Sequence, residues 1–139
     1  MSTTVLYAQP SDISRFCTSA KSITGVALDV QMAALEAASR EFDNHIVSIF
    51  GEESLPLTDW DDSVREKVCM IACYRIFKVR GFDPGKGTDV LIVKDKDEAV
   101  LWMLRVSRQE IRPRMVGQPK APKPVNQPVV KSRTPRGFF

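Results

Sequence analysis

Histidine is almost missing from this chain: the single imidazole, His45, has neither a cysteine nor a second histidine at a ligand spacing. Zinc sites keep closely to such spacings, so a metal or general-base role yields to an ordinary helix position one turn after Glu41. Long apolar runs are lacking too. No stretch approaches the roughly 18 residues that cross a bilayer. Met1-Ser-Thr-Thr has neither the charged start nor the apolar run of a secretory leader, so the sequence predicts a cytoplasmic site of synthesis and no membrane partner. Cysteine is scarce. Cys17, Cys69 and Cys73 suit a reducing compartment, where a free thiol behaves as a small buried hydrophobe, and a body of this size needs no disulfide to fold.

The most informative absence is that of acid after Val116. Residues 117–139 hold five prolines, five Lys or Arg and no Asp or Glu, with Phe138 and Phe139 at the last two positions. Residues 1–116 carry 15 basic and 17 acidic side chains, a formal −2, so the chain's +3 is local to this segment. Such a composition buries too little apolar surface to fold alone, yet presents cations on a semi-extended backbone. A solubilising tail is the plain reading. The paired aromatics favour a docking arm that meets an acidic protein surface or, less specifically, phosphates. The domain organisation expected is therefore a body of residues 1–116 and an arm of residues 117–139.

The body reads as helices. Pro10 suits a first helical position and Asp12 a first turn, giving a short helix to about Ala20 with Ile13 and Phe16 on one side. Asp29 can cap a second helix from about Val30 to Phe50, in which Leu35, Ala38, Phe42, Ile46 and Ile49 recur with the period of one face, and Gly51 ends it. A third begins after Pro56, capped by Thr58 with Asp61 or by Ser63 with Glu66. Its stripe Val64, Val68, Ala72, Ile76 and Val79 is joined by a second, Cys69, Cys73 and Phe77, making it apolar around most of its circumference; it is central, or it is shared with a neighbouring subunit. Gly81 terminates it before a turn-rich connection, Phe82 to Thr88. A fourth helix starts at Asp95, with Glu98 three residues on, and runs through Val100, Met103 and Leu104 to about Arg108. Val90 to Val93 could be strand or helix, and Ile111 to Val116 is extended around Pro113. The fold class expected is all-α, a small four-helix bundle with an extended basic Pro-rich C-terminal arm.

Chemistry is hard to assemble from these residues. Cys69 and Cys73, one turn apart, could hold a soft metal or support redox chemistry, but two ligands are too few and core packing gives the same spacing. Gly81-Phe-Asp-Pro-Gly-Lys-Gly-Thr88 has the glycines and lysine of a phosphate loop without its register, since Gly87 separates Lys86 from Thr88. Asp59, Asp61 and Asp62 lack the later ligands of a calcium loop and are explained by helix capping. Trp60 and Trp102 fall at helical core positions. No enzyme, metal or cofactor is expected.

Four segments carry a family resemblance: Tyr7-Ala-Gln-Pro-Ser-Asp12-Ile13, Ala38-Ser-Arg-Glu-Phe-Asp43, Ile71-Ala72-Cys73-Tyr74-Arg75, and Ala99 with Trp102 and Leu104. With these, most of residues 7–112 resembles the small helical head-tail connector proteins of tailed bacteriophages and Mu-like prophages. Ile46, where a tyrosine is often seen, and the long basic arm depart from the pattern. The resemblance implies a homo-oligomeric ring of about twelve copies, built on one heterologous interface repeated by rotation, lying in the virion neck between capsid and tail. Its implied partners are the portal, itself, the next neck or tail component (a stopper or tail terminator), and DNA that passes through the lumen without sequence-specific binding. A net-negative body repeated around the lumen would keep phosphates from adhering. The surplus apolar surface of the third helix, Cys69, Cys73 and Phe77, would serve the subunit interface. Lys120, Lys123, Lys131, Arg133, Arg136, Phe138 and Phe139 would bind the portal or a neighbour. The rival reading is a small nucleic-acid-binding protein that uses the same arm, with Phe138 and Phe139 stacking on single strands. A small hydrolase is the other, and lacks a catalytic set.

Overall fold

The structure, a computed structural model, describes residues 5–17, 26–80 and 88–119. Among these residues four α-helices form an all-α bundle: α1 (Pro10–Phe16), α2 (Leu28–Phe50), α3 (Asp62–Arg80) and α4 (Thr88–Ser107). A 3-10 turn, Glu52–Ser54, and a two-residue antiparallel pair, β1 (Asp59–Trp60) with β2 (Met115–Val116), complete it. The connection after Gly81, with its phosphate-loop-like stretch, and every arm residue from Lys120 to Phe139 lie outside the described residues.

Local chemistry sets the helix ends. At α1 the Gln9 backbone N–H donates to Asp12 Oδ2 at 2.9 Å, half of a capping box closed over Pro10. α2 begins at Leu28, two residues before the start its periodicity predicts, and Asp29 sits inside the first turn accepting the Val30 N–H at 3.0 Å. It ends at Gly51, whose φ of +81° a side chain would oppose. Neither expected capping pair starts α3. Asp61 does, accepting the Val64 N–H at 3.4 Å while its other oxygen accepts the Arg114 N–H at 3.2 Å.

The fourth helix departs most from expectation. It opens at Thr88, so Val90 to Val93 are helical and Asp95 is an interior residue. The reason is visible in its buried side: Ile92, Ala99, Met103 and Val106 follow at seven, four and three, so the core stripe extends a full two turns upstream of Ala99. β-branched residues cost helix propensity only slightly, and packing overrides it.

α3 is the centre of the bundle, contacting α1, α2 and α4. Val64, Val68, Cys69, Ile71, Ala72, Cys73, Ile76 and Phe77 are all buried. On the other side Leu35, Ala38, Phe42 and Ile46 of α2 are fully buried, and each large side chain among them contributes roughly 1.5–3 kcal/mol on leaving water. Phe42 stacks on Trp102 of α4 with centroids 6.0 Å apart. Val79 breaks the predicted stripe. It is 77% exposed, because the stripe reaches past the bundle at the last turn of α3.

Two expectations about α3 are corrected. Cys69, Cys73 and Phe77, assigned to a subunit interface, are at most 3% exposed within a single chain. The surface they would offer a neighbour is already covered, on one side by the short helix α1. That same packing overturns the expectation of three free thiols: Cys17, the residue that caps the C-terminus of α1, packs against α3 and forms a disulfide with Cys73. With a sequence separation of 56, no spacing pattern could announce the pair. Cys69 is free and buried, and burial pushes its thiol up to about 12.

Candidate docking site

The segment that leads into the arm is built from the sequence's least regular stretch, residues 51–60, together with residues 114–118. Gly51 turns the chain out of α2, and the 3-10 turn and a cis Leu55–Pro56 bond bring it back across the bundle end. Its return is fixed from below by Tyr7. The Leu57 N–H donates to the Tyr7 hydroxyl at 2.9 Å, and the Trp60 indole N–H donates to the Tyr7 carbonyl at 2.9 Å. The Tyr7 hydroxyl in turn donates to Asp43 of α2, and the Tyr7 N–H donates to the buried Ser39 hydroxyl at 3.0 Å. The phenol lies edge-on to Phe42, at 5.8 Å, and to Trp60, at 4.7 Å.

Every polar atom of this residue is therefore satisfied, as a buried group requires. Burial raises the Tyr7 hydroxyl well above the ordinary phenol range, and its bond to Asp43 adds to the shift. Burial also raises Asp43, with the donated hydroxyl bond pulling partly the other way. The two segments bearing Tyr7 and Ser39 to Asp43, quoted separately in the sequence, meet here. The third joins through Arg75, whose guanidinium is 3.5 Å from Glu41, and the fourth through Trp102 on Phe42. What the sequence offers as four loose motifs is one structural joint.

Residues 114–118 lie along the returned loop. The Thr58 N–H donates to the Val116 carbonyl at 2.7 Å and the Asp61 N–H to that of Arg114 at 3.1 Å. The Arg114 guanidinium pairs with Asp59. Gly117 then passes so close to Phe50 and Ser54 that a Cβ there would stand 3.0 Å from both. The Gln118 N–H donates to the Ser54 carbonyl at 2.7 Å, and its side-chain amide donates to the Pro56 carbonyl at 2.9 Å. Gly117 and Gln118, counted by composition with the arm, thus pack as part of the body. Sequence reasoning missed this root because one glutamine and one glycine carry it, and neither alters a hydrophobic pattern.

The other singled-out residues are placed as follows. His45 is half-buried on α2. Among the described residues no group of three His, Cys, Asp or Glu could hold a metal ion, and no helix is long and apolar enough to cross a membrane. Asp59 and Asp62 pair with Arg114 and Arg65, and Asp61 caps α3. Searches with the chain match no protein-family model and no curated protein.

Proposed function

We propose that the protein is a structural head-tail adaptor of a tailed phage or prophage: a non-catalytic subunit that forms a ring below the portal in the virion neck and lets DNA pass through the lumen. Residues 120–139 dock on the portal or on a neighbouring copy. The observation that carries the reading is the arm's root. A basic, proline-rich segment leaves a net-acidic body from a point fixed by Gln118 on Ser54 and Pro56, and that point is tied through Leu57 and Tyr7 to α2. A tail that only adds solubility gains nothing from an anchored base. An arm that must reach a defined socket does, because a fixed origin reduces the volume its tip has to search. Twenty residues span at most roughly 70 Å, enough to cross a neighbouring subunit.

Within the arm, Phe138 and Phe139 supply most of the affinity. A buried aromatic anchor costs about 2 kcal/mol or more on truncation, whereas exposed ion pairs from Lys120, Lys123, Lys131, Arg133 and Arg136 typically contribute a few tenths of a kcal/mol each. The test is a portal-binding assay on two variants, one with both phenylalanines changed to alanine and one with the five cations neutralised. The adaptor reading expects the larger loss from the first. A larger loss from the second, together with retention of single-stranded DNA, assigns the arm to nucleic acid instead.

A further inference from the structure

Away from the arm root, the last two turns of α3 carry a surface the adaptor reading does not use. On one side lies an open groove of about 560 Å³ lined by Glu41 of α2, by Tyr74, Arg75, Lys78 and Val79 of α3, and by Lys96 of α4. On the other, α2 and α3 enclose a hollow of about 390 Å³ whose walls are Val30, Ala33, Ala37, Ile76 and Val79, with Asp29 and Arg75 at its edge. Arg75 and Val79 line both, so the two form one trough across α3. One end is apolar and the other cationic.

The cationic end is organised around Tyr74. The Lys96 ammonium lies 4.8 Å and that of Lys78 5.9 Å from the ring centroid, a geometry in which the ring quadrupole holds cations in place. Arg75 stands 3.5 Å from Glu41, and Lys96 reaches Asp97 at 3.3 Å. Three cations thus converge where, among the described residues, Glu41 is the one acid in the wall. The apolar end offers small side chains and, at the junction, Val79 exposed to 77%.

We propose that this trough is a docking site for an acidic peptide segment of a partner protein, with an apolar residue seated between Ala33, Ala37 and Val79 and carboxylates on Lys78, Lys96 and Arg75. Charge complementarity selects the occupant. The chain's own arm brings more cations to a cationic wall. Nucleic acid has phosphates for the lysines but no side chain for the apolar end, and two ammonium groups already occupy the Tyr74 ring on which a base would stack. An acidic-apolar peptide matches both ends. The inference stands on this surface alone and does not depend on the adaptor reading.

The test uses the full chain and a short fluorescent peptide with a central Leu-Phe pair flanked by glutamates, followed by anisotropy. Controls are the same peptide with lysines for glutamates, and a fluorescent single-stranded oligonucleotide. Lys78→Glu and Lys96→Glu are each expected to weaken the glutamate peptide about tenfold, and Val79→Asp likewise, with helical circular dichroism unchanged. Neutralising the arm's five cations leaves that binding in place. The proposal is overturned by equal binding of the two peptides, by binding that survives the substitutions and disappears with the arm's cations, or by an oligonucleotide that binds and is released by the same substitutions. Absence of binding by the glutamate peptide at about 1 mM overturns it as well.

Discussion

Tyr7 and Asp43, thirty-six residues apart, meet where the N-terminal segment crosses α2, the phenol hydroxyl donating to the carboxylate while accepting the Leu57 N–H. One side chain therefore joins the N-terminal segment, α2 and the loop on which the arm is rooted. Tyr7→Phe removes the donor to Asp43 and the acceptor for Leu57 and keeps the ring packing. The expected loss is about 1–3 kcal/mol, the cost of leaving buried polar groups unpaired, measured by urea unfolding. A Tyr7→Phe protein as stable as the parent contradicts the joint.

The same pair predicts a pH dependence. Because burial raises Asp43 above its ordinary value near 3.8, the folded state binds its proton more tightly than the unfolded state. The stability this group contributes is full below the unfolded value and is lost as pH rises through the folded one. Asp43→Asn removes the titration. The stability of the parent relative to Asp43→Asn should fall as pH rises through and above the ordinary carboxylate range and then level off, read from unfolding curves taken across it. A difference that grows with pH gives the opposite sign and excludes a raised Asp43.

Cys17 and Cys73 close a loop with a sequence separation of 56, for which the chain-entropy relation gives about 4 kcal/mol as an upper figure. Cys17→Ser should lower stability toward that amount in the oxidised protein and have little effect once the parent is reduced. Thiol labelling gives a second reading. The buried, weakly acidic Cys69 should resist alkylation in the folded state, one thiol should label after unfolding, and three should label after unfolding with reduction. Three labelled thiols without reduction contradict the bond.

At the arm root, Gly117→Val places atoms against Phe50 and the Ser54 backbone where even a Cβ is tight. The loop must shift, at an expected cost of about 1–3 kcal/mol. Gln118→Ala loses only the bond to Pro56 and should cost about 1 kcal/mol. Chemical denaturation distinguishes the two, and a neutral Gly117→Val shows that the root does not pack as described.

The bundle was legible because core positions impose a period. Leu35, Ala38, Phe42 and Ile46 follow it in sequence and are buried in the structure, and Gly51 stops the helix where a positive φ is needed. Legibility failed where the determinant is long-range. Nothing near Cys73 announces Cys17, and Tyr7 reads as one aromatic among several until Ser39, Asp43, Leu57 and Trp60 surround it. Val79 fits the α3 stripe by spacing and lies outside the core by position, since periodicity does not say where the partner helix ends. The apolar excess around Cys69, Cys73 and Phe77 suggested a neighbouring subunit because α1 was too short to be weighed as cover. The candidate site was half legible: composition marks the arm, whereas the bonds that root it depend on backbone carbonyls of Ser54 and Pro56 that no side-chain pattern encodes.

The most direct test of the proposed docking is co-sedimentation of the protein with a phage portal protein from its own genome, comparing the full chain with one ending at Pro119, which preserves the root, at about 0.15 M and about 0.5 M salt. Docking by the arm predicts that the full chain binds at both salt concentrations and that the shortened chain stays folded and fails to bind. Binding of the shortened chain at the level of the full one contradicts it.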